Sequence, residues 1–347
     1  MNKRIKFIMA YTTIKKSTNY FNTKLYTGNN STNAITGVGF QPDWTWIKST
    51  DGTYNNQTFD SVRGATKSLV TNEAAAEITI SGLTAFGTDG FTLGSDAQCN
   101  SGGPFVSWNW LGANGTASNT NGSTTSTVSA NTTSGFSIVK WTGTSGNTTV
   151  GHGLNTAPVF TIAKNYGGSG TNWIVYHKDI SPDYAMKLNT TDAQSNSNNY
   201  WQSTAPTNSV LTFTGNTASN SNGNNMIAYC FAEKTGYSKF GSYVGNGNAD
   251  GTFVYTGFKP AFVMIKATSG TENWQMYDNK RLGYNVDNNM LRANLDSAEQ
   301  TDDDIDILSN GFKLRRNSGA FNTSGSTYIY MAFAEEPLVG DNPATAR

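Results

Sequence analysis

One pattern is written three times along this chain, and that repetition constrains the fold more than any single motif. Each copy opens with a proline and an aromatic-rich run that ends in lysine: Pro42-Asp-Trp-Thr-Trp-Ile-Lys48, Pro158-Val-Phe-Thr-Ile-Ala-Lys164 and Pro260-Ala-Phe-Val-Met-Ile-Lys266. Matching anchors follow in a fixed order. They are Phe59-Asp60, Tyr176-His177 and Tyr277-Asp278, then Leu69/Asn72, Met186/Asn189 and Leu291/Asn294, then Phe91-Thr-Leu93, Leu211-Thr-Phe213 and Phe312-Lys-Leu314. Each copy closes on an aromatic strand, Val106-Ser-Trp-Asn-Trp110, Ile227-Ala-Tyr-Cys-Phe231 or Ile329-Tyr-Met-Ala-Phe333. From the opening proline to the last aromatic is 68, 73 and 73 residues, so each copy has the size of a small domain.

The expected organisation is an N-terminal segment (1–20), copy one (21–112), a linker (113–134), copy two (135–233), copy three (237–335) and a C-terminal tail (336–347). The 113–134 stretch is almost free of apolar residues and reads as a flexible Gly/Ser/Thr/Asn linker. Only Lys234 to Gly236 separates the last two copies, which are expected to pack together.

Apolar residues alternate at period two. Trp44 and Trp46 share a face, and Phe262-Val-Met-Ile-Lys266 is apolar on both, the pattern of a strand covered on both sides. Gly, Asn, Asp and Ser clusters punctuate the chain at turn spacing. The sequence is short of helix formers and rich in Gly, Asn, Ser and Thr. Short helices or turns are expected only near 73–77 and 297–303. The fold class is all-β, with three tandem antiparallel β-sandwich domains of jelly-roll or lectin-like topology.

Several functions are excluded by composition. Twenty-four basic residues balance 24 acidic ones, for a net charge of zero, and no basic cluster supplies the cationic footprint of a nucleic-acid binder. No apolar stretch approaches a membrane helix. The apolar run Phe7–Tyr11 is too short for a secretory signal. Cys99 and Cys230 cannot make a disulfide framework. Cys230 stands where the other copies have Asn109 and Ala332, which fits a small buried residue.

A residue present in all copies is expected to be structural. Lys48, Lys164 and Lys266 form such a set and read as edge-strand residues that block sheet-to-sheet aggregation, with a binding edge as the alternative. Asp60/Arg63 and Asp278/Arg281 recur at i, i+3, with His177 and Ile180 in their place in copy two. They read as ion pairs fixing a turn. His152 and His177 are the only histidines, and no metal-ligand spacing surrounds them. The acidic run Asp302 to Asp306 could offer oxygen ligands to Ca²⁺ but reads as a solvated loop. Glu73, Glu77, Asp89, Glu272 and Glu299 are the acids a glycosidase could use, and none pairs in a recognisable motif. Trp173 and Trp274 are candidates for stacking on sugar rings, with core packing as the expected role. No catalytic residue, metal or cofactor is expected. A surface rich in neutral donors and acceptors suits glycans or a protein neighbour.

Gly39-Phe40-Gln-Pro42-Asp-Trp-Thr-Trp-Ile-Lys48, Phe59-Asp-Ser-Val-Arg-Gly64, Asp89-Gly-Phe-Thr-Leu-Gly94 and Tyr328-Ile-Tyr-Met-Ala-Phe-Ala-Glu335 together resemble a repeat domain of unknown function. That domain is found in structural proteins of marine tailed bacteriophages. The resemblance covers most of residues 10–347 and carries over no catalytic residue. It implies an address, the virion. The expected function is a non-enzymatic virion surface protein, a tail fibre or appendage that contacts host glycan or receptor. It would work beside other virion proteins, as a homo-oligomer, without nucleic acid and without membrane insertion. The alternatives are a capsid decoration protein and a carbohydrate-active depolymerase. A bacterial surface adhesin is disfavoured by the missing signal sequence.

Overall fold

The computed structural model describes residues 12–282, 285 and 288–337. The chain is all-β, built of several antiparallel sheets, none closed into a barrel. The aromatic and β-branched runs form the strands, as their propensity dictates.

Each copy contributes one large sheet with the same central strand order. A leading strand (Phe21–Thr27, Phe136–Thr142, Ser238–Val244) pairs with the closing strand (Pro104–Trp110, Asn225–Phe231, Thr327–Pro337). The closing strand pairs in turn with the strand that carries the recurring lysine (Trp44–Ser49, Phe160–Asn165, Phe258–Ala267). Two further antiparallel neighbours follow in each sheet: Gln57–Asp60 then Lys67–Val70, Ile174–His177 then Met186–Lys187, and Gln275–Asp278 then Asn288–Arg292. A smaller sheet lies beside each large one: Asn33–Thr36 with Gly90–Leu93, Thr148–Gly151 with Val210–Phe213, and Phe253–Tyr255 with Gly311–Leu314.

Period-two alternation gives each large sheet two apolar faces. One face packs under the copy's own small sheet. Ile47, Phe59 and Phe105 meet Phe91 and Leu93. Val139, Ile174 and Tyr176 meet Leu211 and Phe213. Val263, Ile265 and Tyr277 meet Phe312 and Leu314. The other faces of all three sheets converge on one shared cluster that includes Trp44, Trp46, Trp108 and Trp110 of copy one. Phe160, Tyr229 and Phe231 of copy two and Phe240, Phe262 and Phe333 of copy three join it. Ring centroids of Trp44 and Tyr229 lie 4.4 Å apart, those of Phe160 and Phe240 5.7 Å, and those of Phe21 and Phe333 4.9 Å. Every pair of copies is therefore in direct aromatic contact.

Two expectations are corrected. The polar segment 113–134 is not a free linker. It supplies Ala117–Asn119 and Ser126–Asn131, which extend the second large sheet beyond Phe136–Thr142. Backbone pairing and Ser/Thr/Asn hydrogen bonds hold it, such as Ser126 Oγ to the Gly151 carbonyl at 2.7 Å, so a lack of apolar residues did not mean a lack of strands. The short helices fall at Ala97–Asn100 and Thr217–Asn220, not near 73–77 or 297–303. Asp96 and Asn216 cap them by accepting from the amides of Gln98 and Ala218, and N-caps of this kind are what allow so short a turn.

The glycine after each leading strand has a common cause. A Cβ at Gly28, Gly143 or Gly245 would lie 1.7, 2.0 or 2.4 Å from the carbonyl oxygen of Ser101, Ser221 or Thr323. Only a residue without a side chain permits that approach.

Candidate functional site

The recurring polar residues gather along three seams where one copy meets the next. Asp60, at the end of Gln57–Asp60, is fully buried. It accepts from the Arg63 guanidinium at 2.5 Å and from the Val62 and Arg63 amides. It also accepts from the hydroxyl of Tyr229 in copy two at 2.7 Å. Asp278 repeats this with Arg281 at 2.7 Å, and its outside donor is the indole N–H of Trp108 in copy one at 3.1 Å. Each arginine reaches one more acid, Glu77 or Glu299, both at 3.1 Å. The expected ion pairs are present, and they bridge copies as well as fixing a turn.

Copy two replaces the whole set. His177, Ile180 and Gln194 stand where the others have Asp, Arg and Glu. The reason lies across the seam. The residue that pairs like Trp108 and Tyr229 in copy three is Met331, which has no N–H or O–H to donate. An aspartate there would be a buried charge without its second donor. His177 is buried against the Tyr330 carbonyl at 3.4 Å, and burial pulls its imidazole well below the ordinary value.

A second set closes the same seams. Asn72 accepts from the amide of Asn56 and donates to Asn55, Asn189 does so with Trp173 and Asn172, and Asn294 with Trp274 and Asn273. The residue so held then reaches the neighbouring copy. Trp173 Nε1 donates to the Val70 carbonyl and Trp274 Nε1 to the Lys187 carbonyl, both at 2.9 Å, and Asn56 Nδ2 donates to the Arg292 and Leu295 carbonyls. Trp173 and Trp274 are buried, so neither offers a ring face to a sugar. Three backbone bonds complete the pattern: Glu77 N to Tyr166 O, Gln194 N to Thr268 O, and Glu299 N to Thr50 O, at 3.0, 3.0 and 2.8 Å. These run from copy one to two, two to three, and three back to one. The copies close into a ring.

The recurring lysines belong to this ring and not to sheet edges. Lys48, Lys164 and Lys266 lie on central strands and are buried. They donate to carbonyl oxygens: Lys48 to Ser49 and to Asp296 of copy three, Lys164 to Thr171, and Lys266 to Ala267 and to Thr191 of copy two. Burial pulls each ammonium down to about 8. In the unfolded chain lysine titrates near about 10.4, so between these values the unfolded state binds more protons and stability rises with pH. Each lysine adds at most ~1.4 kcal/mol per pH unit. Denaturation midpoints are expected to climb from about pH 8 to about pH 10, then turn down as the buried tyrosines, held above their normal range, begin to ionise only in the unfolded chain. Lys164→Met flattens the climb, and an unchanged profile would contradict this account.

One matched set was missed by sequence reading. Asn100, Asn220 and Asn322 are buried and pin the loop after each leading strand, through bonds such as Asn29 N to Asn100 Oδ1, Thr144 N to Asn220 Oδ1 and Asn246 N to Asn322 Oδ1. Their signal was an asparagine four or five residues before each closing strand. The other candidates stay apart. His152 is buried against Thr207 and Leu154, away from the partners of His177. Asp302 and Asp304 pair with Arg316, and Asp306 pairs with Arg315. Glu73 accepts from Asn55, and Asp89 from the amides of Gly37 and Gly39. Cys99 and Cys230 are buried, and burial pushes the Cys230 thiol up to about 12. Among the described residues no group of three or more His, Cys, Asp or Glu could hold a metal, and no helix is long and apolar enough to cross a membrane.

The outward faces differ between copies. Phe253 and Tyr255 project from Phe253–Tyr255, 44% and 57% exposed. Their matched positions hold Ala34 and Thr36 in copy one and Thr149 and Gly151 in copy two.

A family model described as a domain of unknown function, DUF7483, matches residues 16–337. The chain belongs to the DUF7483 family. No curated protein matches it, and no solved structure does. The DUF7483 match runs through all three copies and all three seams, so one family domain takes in the ring as a whole.

Proposed function

We propose that this chain is a non-enzymatic structural protein of the surface of a tailed-bacteriophage particle. It would be a tail fibre or appendage component that contacts host glycan or receptor beside other virion proteins. Each copy is read as a sandwich of a large sheet under its small one, and the ring is a rigid carrier for outward-facing loops and strands. The observation that carries this reading is the division of labour between positions. Matched polar residues are buried, on the seams or under a copy's own loops, while unmatched positions such as the exposed pair Phe253 and Tyr255 lie on the outside. Exposed aromatics on an otherwise polar surface suit an intermolecular contact. The sequence resemblance to phage structural proteins supplies the address.

The test is labelling with an antibody against this protein on intact particles of the phage that carries the gene, followed by imaging. Label on the tail is expected. Label spread over the head would replace attachment with decoration, and unlabelled particles would end the virion reading.

A further inference from the structure

A cleft opens at the seam that joins copy three back to copy one. Its volume is about 570 Å³, within the range of small-ligand sites. Two stretches remote in sequence build it: the turn around Ser17–Asn19 running into the leading strand Phe21–Thr27 and on to Gly37–Gly39, and the loop after Gln275–Asp278. They bring three lysines, Lys16, Lys24 and Lys280, set beside the polar side chains of Thr18, Asn19 and Asn22. Ring closure adds Lys280 of copy three to Lys16 and Lys24, which the start of the chain already brings near each other.

None of the three ammonium groups has a hydrogen bond or ion pair among the described residues. In contrast, Arg63, Arg281, Arg315 and Arg316 all have carboxylate partners. Two acids act on these lysines. Asp89 acts on Lys24 only from a distance, since its carboxylate is held by the amides of Gly37 and Gly39 at 2.9 and 2.7 Å. Glu336 faces Lys16 and Lys280 from a half-buried position at the end of the closing strand. Gly37 and Gly39 themselves line the cleft, so its rim already binds one carboxylate through backbone N–H groups.

We propose that this cleft binds an acidic sugar, a saccharide unit whose carboxylate, sulfate or phosphate group is held by Lys16, Lys24 and Lys280 while Thr18, Asn19 and Asn22 take its hydroxyls. The choice of a sugar over another anion rests on the glycan-contact reading above. The concave shape and the neutral hydrogen-bonding groups among the lysines agree with it.

The experiment is a binding titration of the whole chain with oligogalacturonate, a sulfated oligosaccharide, a phosphorylated mannoside and, as neutral probe, a cello-oligosaccharide. A poly-glutamate peptide and a single-stranded oligonucleotide are run beside them. At least one acidic sugar is expected to bind, more weakly as salt rises, and whichever of the three binds identifies the anionic group. Combining Lys16→Ala, Lys24→Ala and Lys280→Ala is expected to lower that affinity roughly ten-fold or more. The thermal midpoint should hold, because lysines without partners at the surface, or half-buried like Lys24, contribute little to stability. Equal binding of the cello-oligosaccharide, of the peptide or of the oligonucleotide would overturn the proposal. So would an unaffected triple variant, or no acidic sugar bound. Labelled virions with no acidic-sugar binding would sink the cleft and leave the virion reading standing. Unlabelled virions with lysine-dependent binding would do the reverse.

Discussion

Asp60→Ala lowers the unfolding free energy by about 3–5 kcal/mol, because it strands a buried guanidinium and a buried hydroxyl at once. The Arg63 side chain is almost wholly buried and loses its 2.5 Å partner, and Tyr229 loses the acceptor that ties copy two to copy one. Chemical denaturation followed by tryptophan fluorescence reads the effect, since four tryptophans of copy one lie in the shared cluster. Tyr229→Phe removes only the hydroxyl and costs less, about 1–3 kcal/mol. The decisive comparison is the double variant. If the two changes act through one seam bond, their combined cost falls short of the sum. Strict additivity would mean that the carboxylate and the hydroxyl do not meet.

Trp44→Ala is the other large effect, about 3–5 kcal/mol from lost transfer energy and the cavity left behind. Trp44 lies between Trp110 and Tyr229, at 4.5 and 4.4 Å between centroids, and contacts Phe231 at 6.0 Å. It therefore sits on a junction of two copies, where neither sheet can collapse inward without moving the other. Trp44→Phe should be far milder than the size difference alone implies. The indole N–H of Trp44 is buried without a partner among the described residues, and removing an unsatisfied donor offsets part of the lost packing. Melting and denaturation midpoints of the two variants check the ratio. Equal losses would show that the indole nitrogen is satisfied.

Much of this was legible in the chain itself. The Pro-to-Lys runs and the closing aromatic strands became the central strands of the large sheets, because period-two patterning and aromatic content are local properties that survive into the fold. The two-faced apolarity of Phe262-Val-Met-Ile-Lys266 is met in full, one face on the shared cluster and one under the small sheet. What could not be read is which groups meet across a seam. Lys48, Lys164 and Lys266 recur, and recurrence alone pointed to sheet edges, where lysines on strands usually sit. Their actual partners are carbonyl oxygens, two of them in other copies, and backbone oxygens leave no trace in composition. Trp173 and Trp274 carry the same lesson. An aromatic after asparagine looks the same whether its ring faces a sugar or its nitrogen faces the neighbouring sheet. The 113–134 stretch was misread because strands held by hydroxyl and amide bonds lack the apolar signal on which strand recognition depends.

The substitution of His177, Ile180 and Gln194 for an acid, an arginine and an acid makes the three junctions chemically unequal, and acid would tell them apart. In an unfolded chain histidine takes up a proton near about pH 6.5. In the folded ring His177 resists doing so, since burial opposes the charge and outweighs the favourable effect of Asp179 and of the Tyr330 carbonyl, while its Nδ1 accepts from the Asp179 amide. Mild acidification therefore weighs first on the boundary between copies two and three. Loosening in mild acid is expected along that boundary, the one of the three that carries a histidine.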